Sequence, residues 1–148
     1  MPARRHAAGD VVALESPTCF GLPGVLQSLH LRALEIPTHP RDGLSLDALD
    51  TQPVEAVLVT PTLPNPLGGS LPTPERRRLA RMVAERGVAM IEDVLHNDLA
   101  EQEAKRRAVR SFDPSGHVMS CGSFSKTIAP GCVSAGSRPG AGARRCGA

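Results

Sequence analysis

Near its carboxyl end the chain has a lysine that directly follows a run of small residues, in the stretch S-C-G-S-F-S-K-T-I-A-P-G over 120–131. Of the 17 basic residues, only Lys105 and Lys126 are lysines. A lysine amine can form a Schiff base with a carbonyl compound, which an arginine cannot do. Small residues before Lys126 also allow backbone and hydroxyl groups to approach an anion closely. The stretch therefore predicts a reactive lysine, and the alternative is an exposed lysine in a turn that Pro130 and Gly131 close.

Two more polar residues follow apolar runs that are typical of buried strands. Asp93 comes just after the run 88–91, and Asn65 lies in the proline- and glycine-rich loop after the run 56–59. Ligands of parallel sheets bind beyond the carboxyl ends of the strands. We therefore expect Asn65, Asp93 and Lys126 to converge on one crevice. For Asp93 the alternative is a helix N-cap or an ordinary surface acid.

Short apolar runs alternate with amphipathic segments along the chain, which predicts an α/β fold with a parallel sheet. The predicted strands cover 11–14, 34–36, 56–59, 88–91 and 117–120. Pro37 is expected to close the second of these strands. The polar segment 101–110 predicts a surface helix or loop.

Helices are predicted from apolar spacing and from end signals. Apolar residues at 22, 25, 26 and 29 form the stripe of an amphipathic helix over 22–31. Ser45 is expected to cap a short helix over 46–49, and Thr73 to cap a longer helix that Gly87 ends. On that longer helix, the three arginines at 76–78 are most simply a solvated face.

Length and composition limit the class of protein. The 148 residues are enough for one domain with a core, although a hydrophobic content of 41% is a little low and an aromatic content of 2% is poor for packing. No apolar run approaches the ~20 residues that cross a bilayer, and the amino terminus lacks the apolar core of a signal peptide. We therefore expect a cytoplasmic protein. The net charge of +2 is too small to indicate nucleic-acid binding.

The cysteines and histidines do not predict a metal site. The four cysteines form no C-x-x-C pair, and the five histidines are scattered along the chain. Free thiols are therefore expected rather than a zinc site or a disulfide framework.

Three motifs taken together resemble one known family. They are the loop V-T-P-T-x-x-N-P-L-G, the strand end I-E-D and the stretch C-G-S-F-S-K-T-x-A-P-G. As a set they resemble the fold-type I pyridoxal-phosphate enzymes of the aspartate aminotransferase superfamily, and most of all the aminotransferase-like domain of MocR-type regulators of the GntR family. The resemblance extends from about Gly9 to Cys132. It implies an α/β fold that is part of the mostly parallel sheet of that superfamily's major domain.

The resemblance implies a role for each candidate residue toward pyridoxal 5'-phosphate. Lys126 would form the Schiff base, Asp93 would pair with the pyridine nitrogen, and Asn65 would donate to the phenolic oxygen. Ser123 would bind the phosphate, with Ser125 as a weaker candidate.

Other positions depart from the pattern that the resemblance implies. His96 stands where the family has a tyrosine that bonds the phenolic oxygen, and histidine has a different reach and a titratable charge. The aromatic residue that stacks on the cofactor ring falls near Cys19, and Phe20 is its aromatic neighbour. Val133 stands where the family has an arginine that pairs with the phosphate.

The segment 133–148 is rich in glycine and arginine and has no apolar periodicity. The family would continue here with Arg-Val-Gly-Trp, and one restored base turns possible codons for Val-Ser-Ala-Gly into codons for that sequence. We therefore predict that 1–132 is a fragment of an aminotransferase-like cofactor-binding large domain and that 133–148 is a frameshifted tail outside the family. The alternative is a genuine disordered tail.

The resemblance implies amino group transfer through the lysine Schiff base. We expect the chain to be inactive as it stands, because it lacks the arginines that would bind the cofactor phosphate and the substrate carboxylate. One alternative is the effector- or cofactor-sensing part of a MocR-type regulator that has lost its DNA-binding domain. Another is a remnant without function. The expected ligand is an amino acid or 2-oxo acid, with no direct contact to nucleic acid or membrane, and the intact family implies a homodimer.

Overall fold

The computed structural model describes residues 7–128 and 135–138. Its strands are β1 Val11–Ser16, β2 Arg32–His39, β3 Gly43–Leu44, β4 Ala56–Val59, β5 Ala89–Asp93, β6 Val118–Ser123 and β7 Ala135–Arg138. They form one sheet in the order β3-β2-β1-β4-β5-β6-β7. The central strands from β2 to β6 run parallel, and β3 and β7 pair antiparallel at the two edges. The predicted α/β fold with a mostly parallel sheet is confirmed.

Helices connect the strands. They are α1 Gly21–Ser28, α2 Leu46–Asp50, α3 Thr73–Arg86 and α4 Glu103–Arg106, with short 3-10 turns at Asn97–Leu99 and Val109–Phe112. In the described ranges, no helix has both the length and the apolar character that crossing a membrane requires. The polar segment at 101–110 contains α4, whose side chains are all exposed.

Apolar side chains cover both faces of the sheet, as neighbouring residues of β1 illustrate. Ala13 belongs to the larger buried cluster, together with side chains of α2 and α3 such as Leu79. Val12 and Leu14 point to the opposite face and pack with Leu26 of α1. Burial on both faces explains why β1 is a continuous apolar run in the sequence.

The helix ends agree with the sequence at Ser45 and Gly87 but not at Thr73. The Ser45 side chain accepts a hydrogen bond from the Ala48 N–H at 3.3 Å, and Gly87 ends α3 with a left-handed φ of 65°. The predicted Thr73 cap is wrong. The Pro72 carbonyl accepts the first backbone bond of α3, so Thr73 is already the first helical residue and its side chain caps nothing.

The arginines at 76–78 do not form one solvated face. Arg76 is 0% exposed, whereas the next arginine is exposed and the third is half-buried. Arg76 lies three residues before Leu79 and seven before Val83, which are both buried. The core-facing stripe of α3 therefore includes Arg76, and the solvated-face prediction is wrong for this residue.

Pro37 does not close β2, which continues to His39. Only Thr38 and His39 pair with β3. At Pro37 the outer side of β2 carries a backbone bond from the Ser45 N–H to the Pro37 carbonyl at 2.9 Å. This bond needs no N–H from residue 37, so a proline is tolerated at this edge position.

The sequence predicts no strand within 133–148, but the structure places β7 there. This strand pairs antiparallel with β6 over four residue pairs. Residues 129–134 and 139–148 lie outside the described part of the chain. The predicted domain boundary after residue 132 and the frameshift therefore stay predictions.

Candidate functional site

Asp93 and the Lys126 turn, residues 123–128, lie at the carboxyl edge of two neighbouring strands. Asp93 is the last residue of β5 and stands opposite Cys121 of β6 in the parallel register. The Val94 N–H extends this pairing by donating to the Cys121 carbonyl at 2.8 Å. β6 ends at Ser123, and Lys126 follows three residues later. The strand ends therefore bring the candidate carboxylate and the candidate lysine to the same edge of the sheet.

The Asp93 carboxylate is half-buried and is held by its own turn. Its Oδ1 accepts a hydrogen bond from the Leu95 N–H at 2.8 Å, which fixes the side chain. Burial, together with the charges of Asp93 and Glu92, raises the pKa of the Cys121 thiol. The thiol therefore stays protonated at neutral pH. The second carboxylate oxygen of Asp93, Oδ2, accepts no hydrogen bond from the described residues.

The Lys126 turn is closed by local hydrogen bonds. The Ser125 N–H donates to Ser123 Oγ at 3.2 Å, and the Ser123 hydroxyl donates to Ser125 Oγ at 3.2 Å. The Ile128 N–H donates to the Phe124 carbonyl at 3.0 Å. The Lys126 side chain is exposed and, within the described residues, forms no ion pair or side-chain hydrogen bond. The turn thus places two hydroxyls next to an exposed amine along the chain.

Glu15 is a buried carboxylic acid that the sequence reasoning missed. It lies near the end of β1, is 3% exposed, and its Oε2 accepts a hydrogen bond from the Thr60 N–H at 2.9 Å. Burial, opposed by the Thr60 hydrogen bond and assisted by the charge of Asp93, raises the pKa of Glu15 from 4.5 to about 7. An acidic residue that directly follows the apolar run at 11–14 is the signal that could have identified it.

Asn65 lies in a loop of residues 60–71, the Asn65 loop, which returns on itself. The Leu63 N–H donates to the Gly69 carbonyl at 2.8 Å. A Cβ at Gly69 would lie 2.5 Å from the Pro40 carbonyl oxygen, so only glycine fits this close approach. Asn65 itself is exposed between these closed ends, where its amide is accessible to a ligand.

The buried guanidinium of Arg76 closes the two ends of the Asn65 loop. Its Nη2 donates to the Pro61 carbonyl at 2.8 Å and to Thr62 Oγ1 at 2.9 Å, and its Nε donates to the Leu71 carbonyl at 2.7 Å. Burial lowers the pKa of Arg76, and the charge of Glu92 opposes that shift. Sequence reasoning missed this role, although the spacing of Arg76 from the apolar residues of α3 was a signal for it.

His96 lies in a tight turn of residues 94–100, the His96 turn, after β5. Its Nδ1 is buried and has no hydrogen-bond partner among the described residues. The next side chain, Asn97, is 7% exposed and donates from Nδ2 to the Arg106 carbonyl at 3.0 Å. His96 therefore keeps an unused hydrogen-bonding atom close to Asp93 along the chain.

Cys19 and Phe20 lie at the start of α1. Cys19 is a free, half-buried thiol. Phe20 is 94% exposed, so its ring packs against no described part of the site. Stacking of Phe20 on a cofactor ring stays a prediction.

Some of the candidate residues interact with one another directly, and others have no direct contact through a hydrogen bond or ion pair among the described residues. Ser123 contacts Ser125 through their hydroxyls, and the charge of Asp93 acts on Glu15. Among the described residues, no hydrogen bond or ion pair links the remaining candidates to one another: Asn65, His96, Lys126, Cys19 and Phe20. Their convergence on one ligand stays a prediction.

These groups fit pyridoxal 5'-phosphate chemically. The exposed Lys126 amine suits an aldehyde, the Asp93 carboxylate suits a protonated ring nitrogen, and the hydroxyls of the Lys126 turn suit a phosphate. The buried Nδ1 of His96, which has no partner in the described ranges, is a further polar atom that a ligand could satisfy. Within the described ranges, no group of three or more His, Cys, Asp or Glu side chains is arranged to hold a metal ion.

Comparison with known proteins matches most of the chain. The family model described as aminotransferase class I and II matches residues 4–143. The chain is 35% identical over 127 residues to the uncharacterized HTH-type transcriptional regulator YjiR of Escherichia coli (strain K12), covering 83% of this chain and 27% of the regulator. It is 33% identical over 132 residues to the 2-aminoadipate transaminase of Thermus thermophilus, covering 83% of this chain and 32% of the transaminase.

Solved structures resemble the fold over a similar extent. LysN, the alpha-aminoadipate aminotransferase of Thermus thermophilus complexed with N-(5'-phosphopyridoxyl)-L-leucine, has a TM-score of 0.78 and 31% identity, covering 88% of this chain and 35% of LysN. An archaeal alanine:glyoxylate aminotransferase has a TM-score of 0.80 at 23% identity, covering 88% of this chain and 34% of that one, and this likeness shows the fold alone. The curated relatives described above are covered over 27% and 32% of their length, so the chain spans less than a third of each.

Proposed function

This chain belongs to the aminotransferase class I and II family, and we propose that it binds pyridoxal 5'-phosphate covalently through Lys126 as part of an aminotransferase-like domain. The proposed ligands beyond the cofactor are an amino acid or a 2-oxo acid. The proposed setting is the cytoplasm, and the proposed assembly is the homodimer that the family resemblance implies.

One observation carries the proposal. Asp93 and the Lys126 turn lie at the carboxyl ends of two parallel strands, β5 and β6, which pair with Asp93 opposite Cys121. In sheets of this kind, ligands bind beyond the carboxyl ends of the strands. A carboxylate, two hydroxyls and an exposed lysine amine at that edge are the groups that a phosphorylated aldehyde with a basic ring nitrogen requires.

The chain's own residues would each act on a defined atom of the cofactor. Pyridoxal phosphate supplies an electron sink when its ring nitrogen is protonated. Asp93 would hold the proton at that nitrogen, and Ser123 would donate its hydroxyl to the phosphate. Asn65 and His96 would donate to the phenolic oxygen. Lys126 would bond the aldehyde carbon with loss of water, and its amine would be free to hold or move a proton once the amino group of a substrate has displaced it.

We propose that the chain by itself does not complete amino transfer. The sequence offers Val133 where the resemblance implies an arginine for the phosphate, and amino transfer needs a clamp for the substrate carboxylate. A second candidate function is effector or cofactor sensing in a MocR-type regulator. It is favoured by identities of 35% and 32% to two HTH-type transcriptional regulators of Escherichia coli.

Reductive trapping tests the covalent proposal. The purified chain is mixed with pyridoxal phosphate and reduced with borohydride, and peptide mass spectrometry locates the pyridoxyl group. We expect it on Lys126, and we expect Lys126→Arg to abolish the labelling while Lys105→Arg leaves it unchanged. Since these are the two lysines of the chain, Lys105→Arg is the matched control. Equal labelling of both lysines would refute the proposal.

A second measurement separates the two candidate functions. Amino acids, including 2-aminoadipate, are added to the cofactor-loaded chain, and both the visible absorption and the release of 2-oxo acid are followed. A change of absorption without any 2-oxo acid supports sensing, and stoichiometric 2-oxo acid supports a transferase.

A further inference from the structure

Residues 105–107, here called the strap, form an exposed segment whose three carbonyl groups are each bound by a different buried side chain. Thr62 Oγ1 donates to the first carbonyl at 2.9 Å, Asn97 Nδ2 to the second at 3.0 Å and Arg76 Nη1 to the third at 2.8 Å. These donors are 0%, 7% and 0% exposed. Every carbonyl of the strap therefore has a partner from the interior.

The end of α4 explains why the strap needs these partners. The helix has four residues and ends at Arg106. The last carbonyls of a helix have no partner within it, and Arg107 is already extended. Buried side chains satisfy these carbonyls in place of water.

Two of the three donors belong to the loops that carry candidate cofactor ligands. Thr62 lies at the closed end of the Asn65 loop, and Asn97 is the neighbour of His96. A second bond joins the strap to the His96 turn, because Arg106 Nε donates to the Ala100 carbonyl at 2.7 Å. The strap therefore bridges the two loops.

Arg76 connects the strap with both ends of the Asn65 loop. Besides the strap, it binds the Pro61 and Leu71 carbonyls and Thr62 Oγ1. The Thr62 hydroxyl thus accepts from Arg76 and donates to the strap at the same time. One buried network links the Asn65 loop, the strap and the His96 turn.

We propose that Arg76, Thr62 and Asn97 are positioning residues that hold the Asn65 loop and the His96 turn at a fixed separation through the strap. Within the proposed function, this separation sets the distance between the two donors to the phenolic oxygen of the cofactor. The first half of this proposal, that the network holds the two loops together, is here called the mechanical part, and it does not depend on the cofactor. Removing one donor leaves a carbonyl of the strap unsatisfied, and both loops loosen together because they share that segment.

Hydrogen exchange of the full chain without cofactor tests the mechanical part. Thr62→Val removes the hydroxyl and keeps the side-chain shape, whereas Thr62→Ser keeps the hydroxyl and is the matched control. We expect Thr62→Val to speed exchange at Leu71 of the Asn65 loop and at Ala100 of the His96 turn by about tenfold. Exchange at Ala13 in β1 serves as the reference for global unfolding.

Particular results would overturn this inference. Faster exchange in the Asn65 loop alone would show that the strap does not couple the loops. Equal acceleration at Ala13 would show a merely structural role. If the loop amides of Thr62→Ser exchange as fast as those of Thr62→Val, loss of the hydroxyl is not the cause of the faster exchange. Arg76→Lys, which keeps the charge but loses the planar fork, is expected to loosen both loops in the same way.

Cofactor affinity tests the functional part separately. We expect Thr62→Val to weaken pyridoxal phosphate binding about tenfold and Thr62→Ser to leave it near wild type. If Thr62→Val speeds exchange in both loops but binds pyridoxal phosphate as tightly as wild type, the network does not position the cofactor ligands. If the wild-type chain binds no pyridoxal phosphate, the proposed function fails, and the exchange data still decide the role of the strap.

Discussion

Glu15 accepts a hydrogen bond from the backbone N–H of Thr60 at 2.9 Å, and this contact joins the carboxyl ends of β1 and β4. The acid is almost completely removed from water, and the charge of Asp93 acts on it. Its pKa of about 7 follows mainly from burial, because a desolvated carboxylate is more costly than a desolvated carboxylic acid.

The protonation of Glu15 predicts how stability changes with pH. Between pH 4.5 and about 7 the folded chain binds a proton that the unfolded chain releases. The free energy of unfolding therefore falls as the pH rises through this window, by as much as about 3 kcal/mol. Glu15→Gln keeps an acceptor for Thr60 and cannot ionise, so its stability is expected to vary less over the window and to exceed that of wild type at pH 8.

Urea unfolding at several pH values measures this difference. Glu85→Gln, which replaces an exposed glutamate of α3, is the control and is expected to follow wild type. Parallel curves for wild type and Glu15→Gln would contradict the prediction.

Asp93→Asn is expected to weaken pyridoxal phosphate binding by about tenfold to hundredfold. A charge-assisted hydrogen bond contributes about 1.5–3 kcal/mol, and asparagine provides no charge for the ring nitrogen. The asparagine oxygen can still accept from the Leu95 N–H, so the turn is preserved. An absorption titration measures the affinity, with the exposed Asp98→Asn as the control. Equal losses in the two variants would show that Asp93 has no special role.

A glycine at the end of α3 and a glycine inside α1 predict opposite effects of alanine. Gly87 ends α3 at φ 65°, and a Cβ added there would meet no atom within 4 Å, so Gly87→Ala is expected to cost about 1 kcal/mol through backbone strain alone. Gly24 lies inside α1, where an added Cβ would also meet no atom within 4 Å and the backbone φ is not positive. Gly24→Ala is therefore expected to stabilise the folded chain by about 0.5–1 kcal/mol. Thermal unfolding of both variants is the measurement, and effects of the same sign would contradict the argument.

The sequence predicted the central strands because burial on two faces produces an unmistakable apolar run. Val57 and Met90 lie in such runs, and both are buried in the larger core cluster. The order of strand and helix then predicted that Asp93 and Lys126 follow strand ends at one edge. These features depend on local pattern, which a single sequence contains.

Other features depend on contacts between distant segments, and the sequence could not reveal them. The spacing along α3 places Arg76 on the buried stripe of that helix, but the partners that bind its guanidinium, at Pro61, Leu71 and the strap, come from distant segments. The pKa of Glu15 depends in the same way on Thr60 and on Asp93. The pairing of β7 depends on β6, since its own residues show no strand periodicity.

The four residue pairs between β6 and β7 predict the effect of shortening the chain. Deleting 133–148 removes β7 and leaves β6 as an open edge, so we expect a loss of roughly 2 kcal/mol or more and a greater tendency to aggregate. Deleting only 139–148 keeps all of β7 and is the matched control, which is expected to retain the stability of the full chain. Urea unfolding and light scattering measure both effects. If the two deletions behave alike, or if removing 133–148 has no effect, then β7 contributes nothing to the sheet, as expected of a tail outside the family.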